Sequence, residues 1–180
     1  MKFQDYKYER PVVEEIKKDA DVLFSAMENA ATKEEFLEHM DAFIQLRLHV
    51  ETMFQLVSIR HSIDTRDEFY DKESDYVDMA MPELQNLVTR FYHIILQTPY
   101  RTEIENKYGK HLLNLAELSV KAFKPEIIED LQEENKLSSE YSKLVASASI
   151  QFEGEERNLS GLIPFMEHKE RAVRKSAYEA

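Results

Sequence analysis

Glycine is nearly absent from this chain, and its scarcity restricts the fold more than any other feature of the sequence. Only 3 of the 180 residues are glycine, whereas soluble domains carry about 7%. Tight hairpins and glycine-rich phosphate loops need the positive φ angles that glycine adopts, so both are largely excluded. We therefore expect a mainly α protein, an antiparallel helical bundle with long helices and one small β-hairpin near residues 149–159.

Apolar residues recur at helical spacing from the N-terminal region onward. Pro11 is well placed as a first helical residue, because its missing N–H would have no partner in the helix. This pattern predicts a first helix that ends near Asn29. Thr32 followed by Glu35 forms a capping box, so a second helix begins there and continues to about Ile63.

The second helix is apolar over most of its circumference, which predicts that it is central in the bundle. Two polar residues interrupt its apolar face, and we interpret Arg47 as a snorkelling side chain and His61 as a hydrogen-bonded core histidine. The stripe itself consists of Phe36, Met40, Phe43, Val50, Phe54 and Val57.

A second capping box, Thr65 with Glu68, predicts a third helix over about 66–97. Pro82 lies inside it and cannot donate to the carbonyl four residues earlier, so we expect two helices or one helix bent near 79–81. Further helices are predicted over 99–108, 110–123 and 125–148, in a short segment that Ser160 caps, and from about 169 to the end.

Residues 149–159 have a different pattern. Ile150 and Phe152 alternate with polar residues, and Glu153-Gly154 supplies a turn, which together predict a β-hairpin. Such a hairpin either packs on the helices alone or also offers a strand edge to a peptide main chain.

Charge and composition exclude several classes of protein. The chain has 23 Lys and Arg against 35 Asp and Glu, a formal net charge of −12, which argues against nucleic acid as a partner. It has no cysteine, so it cannot form a disulfide, a thiolate zinc site or a cysteine nucleophile. Neither a signal peptide nor an apolar run of membrane-spanning length is present, which predicts a soluble, cytoplasmic protein with no membrane contact.

The six histidines do not have the spacing of a metal site. None belongs to a His-Glu-x-x-His or a Glu-x-x-His motif, and only the pairs Glu35 with His39 and His61 with Asp64 lie at a usable local spacing. Ser160 lacks the motif of a serine nucleophile. These patterns argue against a metal site and against a serine nucleophile, and they single out no catalytic or cofactor-binding residue in this chain.

The junction of the two long helices, Arg60-His61-Ser62-Ile63-Asp64-Thr65, concentrates charge in a few residues. One interpretation is a helix end followed by a cap. The other is a buried polar lock between Arg60 and Asp64 that sets the angle between the two helices. The second interpretation predicts that Asp64→Ala lowers the melting temperature by several degrees.

Three segments resemble the N-terminal region of oligoendopeptidase F, a family of zinc metallopeptidases related to thimet oligopeptidase. They are KFQDYKYERP at 2–11, SIRHSIDTRDEFYDKE at 58–73 and FKPEIIEDLQEENKLSSEYSKLVASASIQFEGEERNLSGLIPF at 123–165. The resemblance extends from Lys2 to the last residue. It departs from the family pattern at 167–170, where a Ser or Asp cap is expected before the last helix.

The resemblance implies a cytoplasmic, mostly helical hydrolase, considerably longer than this chain, that cleaves internal bonds of short peptides in a deep channel. It places the zinc ligands far downstream, in a His-Glu-x-x-His helix with a further Glu, and no position here matches them. Zinc is therefore expected in the parent protein and not in this chain. The N-terminal helices of such enzymes form part of the channel wall.

We accordingly expect residues 1–180 to be a single helical N-terminal domain or fragment, inactive alone, whose partner is the catalytic remainder of the peptidase. The helical pattern still running at Ala180 indicates a truncated chain. The alternative is a self-contained acidic helical module that binds other proteins. In either case exposed apolar faces favour self-association.

Overall fold

A computed structural model describes residues 3–180 and confirms the mainly α fold. Within that range it contains eight α-helices and one antiparallel two-stranded sheet. Met1 and Lys2, which open the predicted domain and the first of the three similar segments, lie outside the described residues. No helix within 3–180 is long and apolar enough to cross a membrane.

The chain forms two compact units, one ending at Asn135 and the other comprising Lys136–Ala180, and each is described by itself. Short 3₁₀ turns occur at Phe3–Asp5 and Pro125–Ile127. The elements in chain order are α1 (Val13–Glu28), α2 (Lys33–Ile63), α3 (Glu68–Gln97), α4 (Arg101–Tyr108), α5 (Lys110–Ala122), α6 (Ile128–Ala146), β1 (Ile150–Phe152), β2 (Glu155–Arg157), α7 (Leu159–Met166) and α8 (Arg171–Glu179).

The first unit has its core around α3, which packs against α1, α2, α4 and α5. The expectation that the second helix is central is therefore wrong. The predicted apolar stripe of α2 is buried, but the opposite side of this helix leaves Leu48, Ile59 and Ile63 exposed. The guanidinium of Arg47 donates from Nε to Glu51 Oε1 at 2.7 Å and from Nη1 to Tyr92 Oη of α3 at 3.3 Å.

Helix α1 begins at Val13, two residues after Pro11, and a tyrosine from α3 contacts its first turn. Tyr76 Oη donates to the Pro11 carbonyl at 2.6 Å and accepts from the Val13 N–H at 3.3 Å. The Tyr76 hydroxyl thus provides an acceptor for an N–H of the first turn, which a polar side chain at position 12 provides in most helices. Such a cap comes from 63 residues away along the chain and has no local signature.

Helix α2 begins as predicted. The Glu35 N–H donates to Thr32 Oγ1 at 3.2 Å, and Glu35 Oε2 accepts from the Ala31 N–H at 3.0 Å. The second capping box is not formed, however, and α3 begins at Glu68. Its cap is Asp67, whose Oδ1 accepts from the N–H groups of Phe69 and Tyr70 at 2.9 and 3.2 Å.

Replacing Asp67 with alanine is expected to lower the free energy of unfolding by about 1 kcal/mol, because two N–H groups of the first turn lose their acceptor. Thr65→Ala is the matched control, since Thr65 was the predicted cap and is exposed. Urea denaturation followed by circular dichroism measures both variants. An equal loss in the two variants would show that Asp67 does not cap the helix.

Pro82 lies inside one continuous α3, and side chains of α6 bind the carbonyls beside it. Proline removes the hydrogen bond to residue 78 and pushes the neighbouring carbonyls away from the helix axis. Asn135 Nδ2 donates to the Asp78 carbonyl at 3.1 Å, and Gln132 Nε2 donates to the Met79 carbonyl at 2.8 Å. The Asn135 amide therefore supplies the donor that Pro82 lacks, and the Gln132 amide supplies a further donor to the next carbonyl.

Asn135→Ala is expected to cost about 1 kcal/mol of stability relative to Asn114→Ala, because it leaves the Asp78 carbonyl without this donor. Asn114 is an exposed residue of α5, so its replacement carries the same change in helix propensity without the contact. Thermal unfolding of the two variants gives the comparison. Equal stability would mean that the bond to Asp78 contributes nothing.

The second unit confirms the predicted hairpin. Glu153 and Gly154 have φ angles of 54° and 83°, the conformation of a type I′ turn. The cap of α7 is Asn158, whose Oδ1 accepts from the Gly161 N–H at 2.8 Å, so the assignment of Ser160 as the cap is wrong. A small core of Phe152, Leu162 and Ala177 joins the hairpin to α7 and α8.

Candidate functional site

Neither local pair with the spacing of metal ligands forms a site. Glu35 caps α2, and Asp64 accepts the Arg66 N–H at 3.0 Å. His61 lies instead beside Asp71, with 3.4 Å between His61 Nε2 and Asp71 Oδ1. That contact lacks hydrogen-bond geometry, so within residues 3–180 the buried Nε2 of His61 does not make the hydrogen bond expected of a core histidine.

The densest polar cluster forms where residues 6–13, which we call the N-terminal strap, meet the end of α2 and the start of α3. The strap contributes Tyr8 and Arg10, and α3 contributes Glu73. Glu73 Oε2 accepts from Tyr8 Oη at 2.5 Å and from Arg10 Nε at 2.9 Å, while Arg10 Nη2 donates to Glu73 Oε1. Arg10 therefore holds the carboxylate with a two-pronged contact.

Glu73 is the charged member of this cluster that is buried. The residue is 3% exposed, whereas the Arg10 side chain is 49% exposed. Hydrogen bonds from Arg10, opposed by burial and assisted by Tyr8, lower the pKa of Glu73 below its ordinary value. Burial and the neighbouring carboxylate raise the pKa of Tyr8.

A second contact between the strap and the helices uses Arg60, but not as a lock with Asp64. Arg60 donates from Nη1 to Tyr70 Oη and from Nη2 to the Tyr6 carbonyl, each at 2.5 Å. The Asp64 side chain is 51% exposed and pairs with Arg66. The predicted buried lock between Arg60 and Asp64 is therefore wrong, and we expect Asp64→Ala to lower the melting temperature only slightly, through loss of the hydrogen bond from the Arg66 N–H.

The contacts of Tyr8, Arg10 and Glu73 are those of a cluster that holds two parts of the fold together. A general base needs a pKa near the working pH and a free oxygen facing a substrate, but the pKa of Glu73 is lowered and both its oxygens are engaged by Arg10 and Tyr8. The cluster fastens the strap across the helix junction, and it brings together the similar segments at 2–11 and 58–73.

The β-hairpin is the second candidate, as a surface that binds main chain. Gln151 at the centre of β1 is exposed, while Phe152 packs inward with its ring centroid 5.0 Å from that of Phe165. Arg157 of β2 stacks over Phe165, with its guanidinium carbon 4.6 Å from the ring centroid. The hairpin is thus anchored on one face and open on the other.

Comparison with known proteins now places the fold. Residues 3–123 match the family described as the peptidase M3 N-terminal domain. The chain belongs to the M3 peptidase family. This M3 chain matches no curated protein significantly, and its sequence-based resemblance to oligoendopeptidase F is confirmed by solved structures.

One similar structure is PZ peptidase A with inhibitor 2, at 47% identity and a TM-score of 0.94 over 99% of this M3 chain. Another is an oligoendopeptidase F from Bacillus anthracis, at 47% identity and a TM-score of 0.95 over 100% of the chain. A further oligoendopeptidase F structure shows 44% identity and a TM-score of 0.94. The M3 chain spans about a third of the length of these proteins, which it covers to 32%, 33% and 32%.

M3 peptidases are metallopeptidases, so the family implies a metal ion. The side chains between residues 3 and 180 do not fit one, because no three of their His, Asp or Glu residues come together as a ligand set, and the sequence has no cysteine. No chemical step is therefore assigned to a metal in this M3 chain.

The sequence analysis missed Tyr8, Arg10 and Glu73, the residues that carry the polar cluster. The helical spacing of Glu73 with the apolar Val77 and Ala80 could have indicated that this carboxylate lies on the buried face of α3. A carboxylate at an apolar position needs a partner. The partner's identity was not readable, because it comes from the strap 63 residues away.

Proposed function

We propose that this chain is the N-terminal, non-catalytic part of a zinc-dependent oligoendopeptidase of the cytoplasm, and that its helices form part of the wall of a channel that admits short peptides. The supporting observation is the agreement with solved peptidases at 44–47% identity over 99–100% of this chain but only about a third of theirs. The zinc ligands and the catalytic base belong to residues beyond these 180.

Exposed apolar side chains support a role as one layer of a larger protein. Ile63, Leu118 and Leu144 are 74%, 64% and 69% exposed. Leu144 continues a row with Leu137 and Tyr141, which are 56% and 68% exposed at helical spacing on one face of α6, and such an apolar face is typical of a surface that further protein covers. The catalytic remainder of the peptidase is the partner that this proposal assigns to them. Self-association of the isolated chain follows from the same surfaces.

The alternative of a self-contained acidic interaction module has the net charge of −12 in its favour. The coding DNA beyond Ala180 distinguishes the two. A reading frame that continues to a His-Glu-x-x-His helix favours the peptidase, and a stop codon favours the module.

An internally quenched fluorogenic peptide tests the absence of catalysis. The purified 180-residue chain should not hydrolyse it with or without added zinc, whereas the longer gene product should, and a chelator should stop that reaction. Zinc-dependent turnover by the 180-residue chain would overturn the proposal.

The channel-wall role needs a separate substrate pair. The longer product should cleave a short free peptide and leave intact a folded protein that carries the same sequence in an exposed loop. Equal cleavage of both substrates would argue against a size filter.

A further inference from the structure

The two strands of the hairpin each have one edge that the other strand leaves open, and these edges differ in charge. β2 consists of Glu155, Glu156 and Arg157, and it packs against α7. β1 has no charged residue. Proteins protect open strand edges with charged side chains, so β1 lacks a protection that β2 has.

The register determines which main-chain groups lie on the β1 edge. Phe152 pairs with Glu155 beside the two-residue turn, and Gln151 pairs with Glu156. In such a hairpin the pair next to the turn exchanges main-chain hydrogen bonds, and the following pair does not. The N–H and C=O of Gln151 therefore point away from β2, as those of Glu156 point away from β1.

The β1 edge is held in place by packing in the second unit and lies beside negatively charged residues. Phe152 is 6% exposed and holds β1 on Leu162 and Ala177. Glu153 in the turn and Glu155 and Glu156 in β2 put three carboxylates within four residues; Arg157 pairs with Glu155 at 2.6 Å and Ser149 donates to Glu156, so the charges of Glu153 and Glu156 are not balanced by a cation of the hairpin. A strand that pairs with β1 is therefore favoured when it carries positive charge near the turn.

We propose that the β1 edge binds an extended peptide that carries Lys or Arg beside the acidic turn, with the N–H and C=O of Gln151 hydrogen-bonded to the peptide main chain. This is strand addition, in which the main chain supplies affinity and flanking side chains supply selectivity. It rests on the proposed function, because the peptide is taken to be a substrate of the whole peptidase.

The test is a nuclear magnetic resonance titration of the ¹⁵N-labelled 180-residue chain with acetyl-Lys-Thr-Val-Thr-Lys-amide. We expect the Gln151 amide signal to shift with saturation and the Glu156 amide signal to stay in place. The peptide acetyl-Glu-Thr-Val-Thr-Glu-amide should bind about tenfold more weakly, since its charges repel those of the turn. A saturating shift at Glu156 alone, or no shift at millimolar peptide, would overturn the inference.

Two matched variants separate the edges. Gln151→Pro removes the outward N–H of β1 and should weaken binding about tenfold or more, whereas Glu156→Pro removes the outward N–H of β2 and should not. Gln151→Ala keeps the main chain and should bind normally. If Gln151→Pro unfolds the hairpin, a peptide N-methylated at Val provides the same test on the unaltered chain, and undiminished binding of that peptide would contradict the inference.

The peptidase activity of the longer gene product is measured separately, so that failure of this inference can be told apart from failure of the proposed function. Turnover without edge binding overturns the inference alone. Edge binding without any peptidase activity in the longer product overturns the proposed function.

Discussion

Replacing Arg10 with methionine is expected to lower the free energy of unfolding by about 2–4 kcal/mol at neutral pH, a large part of the stability of an ordinary domain. The substitution leaves the buried carboxylate of Glu73 with the Tyr8 hydroxyl as its remaining partner in the cluster. Breaking a fully buried pair costs about 3–5 kcal/mol. We expect less because the Arg10 side chain is half exposed to solvent.

The effect should depend on pH with a definite sign. In the unaltered chain the pKa of Glu73 is lowered, so its contribution to stability is present above the ordinary glutamate pKa and is lost as the pH falls through the lowered value. In the variant, burial without Arg10 raises the pKa of Glu73. The difference in stability between the two proteins should therefore shrink as the solution is acidified.

Urea denaturation at several pH values measures this prediction, and two further variants control it. The double variant Arg10→Met with Glu73→Gln removes the stranded charge and should recover much of the loss. Arg66→Met breaks the exposed pair with Asp64 and should change nothing measurable. A loss that the second substitution fails to relieve would show that the charge of Glu73 is not its cause.

Replacing Phe91 with alanine is expected to cost about 3–5 kcal/mol, because the site is closed and cannot collapse fully around the missing ring. Phe91 is 1% exposed. Its ring centroid lies 4.7 Å from that of Phe43, which in turn lies 4.8 Å from that of Phe24. The three rings join α3, α2 and α1, so the loss should affect the whole first unit.

Thermal unfolding should show the Phe91→Ala variant melting about 6–20 °C lower, at about 2–4 °C for each kcal/mol in a chain of this size. Phe91→Leu keeps part of the volume and should lose less. Leu118→Ala serves as the control, since Leu118 is 64% exposed. Similar melting temperatures for the Phe91→Ala and Leu118→Ala variants would contradict this account of the core.

Features that depend on neighbouring residues along the chain were readable from the sequence. The stripe of α2, the Thr32 capping box and the turn at Glu153-Gly154 are local patterns, and the structure confirms each. The caps of α3 and α7 were misassigned because each helix start has two polar residues that could cap it. Asp67 lies two residues after Thr65, and Asn158 lies two before Ser160, so each helix start offered two acceptors, and the pattern alone did not rank them.

The polar cluster could not be derived in the same way, because its members are distant in sequence. Arg60 was recognised as important, yet its assigned partner was the nearby Asp64 and not Tyr6 or Tyr70. Sequence proximity favours pairing within a turn, whereas the fold brings the strap across the helix junction. The central position of α3 was missed for a related reason, since an apolar circumference shows that a helix can be buried but not which helices surround it.

The proline in α3 restricts where the first part of α6, residues 128–135, can lie along α3. A shift of residues 128–135 along α3 would carry Asn135 and Gln132 away from the carbonyls of Asp78 and Met79. A displaced arrangement would leave the Asp78 carbonyl and the two amides without these hydrogen bonds, so a shifted register is penalised by the loss of polar contacts. The three residues are therefore coupled, and a redesign that changes one of Pro82, Gln132 and Asn135 should change all three.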